Sequence, residues 1–145
     1  MGNPDLAVMA EKFVVVGVDG SEASSRAVDW AADEARYRSA KLRVVHANLL
    51  EHDVLESPLL ENEARSEFAV IQVAVERARL RCPEVTVEAR TVEPPAAESL
   101  IHASIGAELL VVGSRGLSRI QELLLGSVSR ECVLSAQCSV LVVRG

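Results

Sequence analysis

Three glycines and two serines sit at a spacing that can hold an anion. Leu109-Leu110-Val111-Val112 runs into Gly113; Gly116 follows after two residues, and Gly126 after nine more, leading into Ser127-Val128-Ser129. An apolar run this short that ends at glycine reads as a buried strand. The residues after Gly126 carry a helical pattern, and a helix start offers unpaired N–H groups, with hydroxyls beside them, to phosphate oxygens. A second chemical group stands near the amino end, where Asp19 closes the run Phe13-Val14-Val15-Val16-Gly17-Val18 and precedes Gly20-Ser21. A carboxylate at a strand end can accept hydrogen bonds from ribose hydroxyls, as acidic residues do in dinucleotide folds, or it can cap the helix that follows.

These groups must be brought together by a scaffold, and the chain supplies strands and helices in alternation. The spacing predicts strands over Phe13–Asp19, Leu42–Ala47, Val85–Val92, Leu109–Val112 and Ser139–Arg144. Helices are expected over Glu22–Arg38, Glu61–Arg81, Ala96–Ser104 and Ser127–Ser135. In the first, Ala23, Ala27, Ala31 and Ala35 recur every four residues and make a narrow face that lies close on a sheet. In the second, Phe68, Ile71, Val75 and Ala78 are expected to share the inward face. Residues 1–12 read as a flexible lead-in and residues 48–60 as a connection. The expected fold is one α/β domain over residues 1–145, a doubly wound five-stranded parallel sheet of order 3-2-1-4-5 with helices on both faces. Ligands of such sheets bind beyond the carboxyl ends of the strands where the order reverses. That point lies between strands one and four, whose ends are Asp19 and Gly113.

Composition narrows the function classes. At 145 residues with 49% hydrophobic but 3% aromatic side chains, the core must be built from Val, Leu, Ile and Ala. Fifteen basic against 21 acidic residues give a net charge of −6, and no two Lys or Arg are adjacent. Nucleic acid is therefore not expected as a partner, since that affinity needs a concentrated basic surface. No apolar run approaches the ~18 residues of a membrane span. Cys82, Cys132 and Cys138 form no C-x-x-C pair, so no disulfide framework or zinc site is expected, and a reducing, cytoplasmic setting is. No nucleophile–base pair stands out, so no catalytic residue is assigned. His46 falls at the end of the second strand, and Arg115 and Arg119 lie within the glycine loop.

The full spacing Gly-x-x-Gly-x9-Gly-Ser after an apolar strand resembles the nucleotide loop of the universal stress protein family, in its ATP-binding subgroup. The likeness extends from Phe13-Val14-Val15-Val16-Gly17-Val18-Asp19-Gly20-Ser21 to Ser139-Val140-Leu141-Val142-Val143-Arg144-Gly145. It is neither a Walker loop nor the Gly-x-Gly-x-x-Gly fingerprint. The resemblance implies that Gly17 and Asp19 line the adenosine side and that Ala47 presents backbone to the adenine. It implies likewise that Val112, Gly113, Gly116, Gly126, Ser127, Val128 and Ser129 surround ribose and phosphates. The cofactor so implied is ATP, with any Mg²⁺ arriving on the phosphates. The function implied is a nucleotide-dependent stress-response regulator with at most slow ATP hydrolysis. Family members commonly dimerise through the last strand, here Val140-Leu141-Val142-Val143. The alternative is an interaction module that binds cyclic AMP or no nucleotide. An ATP pyrophosphatase is disfavoured, because Asp19-Gly20-Ser21-Glu22 is not the loop such enzymes need.

Overall fold

The computed structural model describes residues 11–47, 58–115 and 125–145, with side chains of the second helix from Glu67 onward. The expected lead-in and the connection after the second strand fall almost wholly outside these residues. The described elements are β1 (Phe13–Gly17), α1 (Glu22–Tyr37), β2 (Lys41–Ala47), α2 (Pro58–Arg81), β3 (Val87–Val92), α3 (Ala96–Ala103), β4 (Leu109–Gly113), α4 (Ser127–Ser135) and β5 (Val140–Val143).

The strands form one parallel sheet in the order β3-β2-β1-β4-β5. Hydrophobic alternation divides its core in two. Val14, Val16, Leu42, Val44, Leu109 and Val111 face one side, where the alanines of α1 and the inner stripe of α2 cover them. Val15, Val45, Leu110 and Val112 face the other, where Leu100 of α3 and Cys132 of α4 lie. Strands covered on both faces must be apolar at every position, which is why β1 and β4 are nearly unbroken runs of Val and Leu. Each such side chain contributes about 1.5–3 kcal/mol on burial. Register aligns Val16 with Val111 and Gly17 with Val45, so the carboxyl ends of β1, β2 and β4 open on one rim.

Local signals account for the element ends. Ser21 caps α1, its Oγ accepting from the Ser24 N–H at 3.2 Å, as serine does at helix starts. The helix stops where Ser39 takes a left-handed φ of 52° and Ala40 N–H returns to the Ala35 carbonyl at 2.8 Å. β1 is shorter than expected: beyond Gly17 the chain turns, with Asp19 Oδ1 accepting from the Ser21 N–H at 2.9 Å. β3 begins at Val87 because Val85 is still in a turn, its N–H bonded to the Cys82 carbonyl at 3.0 Å.

Two of the four residues expected on the inward face of α2, Val75 and Ala78, lie there, and the rest of that face departs from expectation. Ala74, Ala78 and then Cys82 are buried, with Val70 and Val75 packed beside them, whereas Phe68 is 61% exposed. The alanine face of α1 draws α2 in by its small residues, and Phe68 lies outside that stripe. Two forked ion pairs complete the contact: Arg77 donates twice to Asp29 at 2.7 Å and Arg81 twice to Asp33 at 2.9 Å.

Candidate functional site

A cleft of about 260 Å³ opens over the rim where β1 and β4 part. Gly17 and Asp19 enter it from the end of β1, Ala47 from the end of β2, and Val112 and Gly113 from β4. Gly126, Ser127, Val128 and Ser129 form its far wall at the start of α4. Nine of the ten residues expected at the site therefore share one cavity; Gly116, with Arg119, lies outside the described residues. Arg115 also lines the cleft, and it is the described cation there.

The anion-accepting end is built by α4. Its cap, Gly126, has no side chain to satisfy the first-turn N–H groups, which point toward the cleft with the positive end of the helix dipole. One carbonyl fixes this end: Ser114 O accepts from the Gly126 N–H at 2.6 Å and from Ser129 Oγ at 3.0 Å. Ser129 Oγ also lies 3.0 Å from the Gly126 carbonyl. Its one hydroxyl proton is engaged with backbone in this structure, so Ser129 braces the wall that it lines. Ser127 is exposed on that wall, and its hydroxyl suits the donor role.

Gly113 is also required for a reason other than ligand access. A Cβ at this position would stand 2.8 Å from both the carbonyl carbon and Cβ of Ala23 and 3.0 Å from Ser24 N. Its absence lets the first turn of α1 lie directly on the end of β4. Gly17 plays a milder part, since a Cβ there would meet the Leu100 side chain at 2.8 Å. Asp19 does not cap α1; Ser21 does, and Asp19 uses one oxygen to hold the turn while lining the cleft. A carboxylate has about four acceptor sites, so a ligand hydroxyl can share it.

Two cleft residues had no assigned role in the sequence reading. His46 is buried, with Nδ1 2.7 Å from the Val18 carbonyl and Nε2 against Glu67 Oε2. Glu67 is legible on the inward stripe of α2. With Ala74 and Ala78 inward, Glu67 falls seven and eleven residues before them on the same stripe, and a carboxylate interrupting an apolar stripe is a signal of a polar site. Among the described residues no cluster of His, Cys, Asp and Glu could hold a metal ion.

Fold and cleft together define a doubly wound α/β domain with a cleft at the switch point of its sheet, bordered by a helix start and a carboxylate. Residues 12–144 match the universal stress protein family, and the chain belongs to it. It is 34% identical over 150 residues to universal stress protein YxiE of Bacillus subtilis, covering 90% of this chain and 97% of that one. Among solved structures, a universal stress protein in complex with cAMP is 34% identical, with a TM-score of 0.73 over 92% of this chain and 97% of that one. The structure of a universal stress protein from Archaeoglobus fulgidus shares the fold at a TM-score of 0.77, over 97% of this chain and 99% of that one, with 23% identity.

Proposed function

We propose that this chain binds ATP in the cleft and serves as a nucleotide-dependent regulator of a stress response, with at most slow hydrolysis. The observation that carries the reading is the meeting of two groups far apart in sequence. The uncapped start of α4, which suits a phosphate, and the Asp19 carboxylate, which suits a ribose hydroxyl, line one cleft. Mg²⁺ would enter with the phosphates, held by their oxygens and by water. Cyclic AMP is the second reading, favoured by the similar solved structure in complex with cAMP. Its single phosphodiester needs fewer N–H groups than a triphosphate, so the two are separated by measurement.

The decisive experiment is to denature freshly purified protein, identify any released nucleotide by chromatography and mass spectrometry, and then titrate the emptied protein with ATP and with cyclic AMP. Saturable ATP binding with little turnover supports the switch; preference for cyclic AMP supports the second reading; binding of neither overturns both.

Self-association belongs to the same proposal. The sheet has two edges, and they differ. β3 presents Glu88 and Arg90 in an exposed stretch, which discourages pairing, whereas β5 is Val140-Leu141-Val142-Val143. A homodimer through β5 is therefore expected, and light scattering should return twice the mass of the 145-residue chain. A single-chain mass would overturn it. A cytoplasmic location is likewise part of the proposal, supported by three free cysteines; fractionation of the producing cells tests it.

A further inference from the structure

His46 is 4% exposed, and the anion end of the cleft leaves it unused. A carbonyl offers only lone pairs, so the 2.7 Å contact with Val18 O requires hydrogen on Nδ1, which donates. That bond fixes the ring, and Nε2 then meets Oε2 of Glu67, a side chain 23% exposed that reaches the cleft from α2. The contact involves Oε2 alone, so Oε1 keeps its acceptor sites. The remaining sites are available to whatever fills the cleft.

The charged groups lining the cleft are separated along it. The start of α4 and Arg115 lie at the β4 side, whereas Asp19 and Glu67 lie at the β1 and β2 side. A ligand with a phosphate at one end is oriented by this arrangement, phosphate toward α4 and its other end toward Glu67. Resting on the nucleotide reading above, we propose that Glu67, positioned by His46, reads the 6-amino group of a purine. An amine there donates to the carboxylate. A 6-oxo group places lone pairs against it, and a site built around a hydrogen bond discriminates strongly against the analogue that cannot make it.

The test is equilibrium binding of AMP and of IMP to the full chain and to its Glu67→Gln and Glu67→Ala variants, with circular dichroism melts to establish that each is folded. The parent should bind AMP about tenfold or more tightly than IMP, the range of one hydrogen bond to a charged group. Glu67→Ala should bring the ratio near one. Glu67→Gln should raise IMP affinity toward that of AMP, because a carboxamide can turn its NH₂ to the oxo group. A merely structural Glu67 would weaken both nucleotides equally and leave the ratio unchanged, and that result overturns the proposal. Loss of all AMP, IMP, ATP and cyclic AMP binding in the parent overturns the nucleotide reading itself, and this inference with it.

Discussion

Asp19 and Gly113 carry different burdens, and single substitutions separate them. Asp19 holds Ser21 N–H with one oxygen and faces the cleft. Asp19→Asn keeps a carbonyl for the turn but removes the charge, so it should weaken ATP binding several-fold with little change in melting temperature. Asp19→Ala should cost about tenfold in affinity and some stability as well, since it removes both contacts. Calorimetric titration beside a thermal melt distinguishes the two effects; equal ATP affinity in all three proteins would remove Asp19 from the site. Gly113→Ala, by contrast, forces a Cβ against backbone of α1 and should destabilise the protein by about 1–3 kcal/mol in urea unfolding. A variant as stable as the parent would show that α1 can yield. The sequence showed that Gly113 mattered but not why, because a glycine needed for helix packing and one needed for ligand approach look alike in one dimension. Ser129 illustrates the same limit: its place beside the phosphate end was legible, whereas its engagement with Ser114 and Gly126 depends on where the chain returns.

Between elements, the contact of α1 with α2 offers a test in pH. The Arg77 hydrogen bonds hold the Asp29 carboxyl below its ordinary value of 3.8, and those of Arg81 do the same for Asp33. A carboxyl depressed in the folded state contributes stability above the unfolded value and loses it as pH falls through the lowered folded value. The charged ends are partly exposed, so each pair is worth no more than about 1 kcal/mol. Asp29→Asn should therefore lower stability slightly at pH 7, and the difference from the parent should vanish as pH drops below 3.8. A gap that persists there would mean that shape and not charge holds the helices. These pairs also explain what the hydrophobic pattern missed. Strand order, helix count and the narrow face of α1 followed from alternation and the four-residue alanine repeat. The rotation of α2 did not, because Val75 and Ala78 fit a stripe with Phe68 as well as one with Ala74 and Cys82, and only its partner helix decides between them.

Across the whole molecule, Phe13 alone among the aromatic residues packs against the core, and only from its edge. The fully buried side chains are Val, Leu and smaller, whereas Trp30 is 53% and Tyr37 78% exposed. The buried thiols should be correspondingly inert. Burial pushes the Cys132 thiol up to about 11, and burial with the hydrogen bond to Asp33 raises that of Cys82. A thiol reagent at pH 8 should thus modify Cys138 first and the other two only on unfolding; prompt native labelling of all three would contradict this packing. The one Trp and one Tyr have an optical consequence as well. With its indole in water, the protein should fluoresce nearly as red when folded as when unfolded, making emission a poor reporter of melting. Its own near-ultraviolet absorbance is so weak that a co-purifying purine would dominate the spectrum, and the ratio of absorbance at the purine and indole bands would reveal occupancy before any titration is begun.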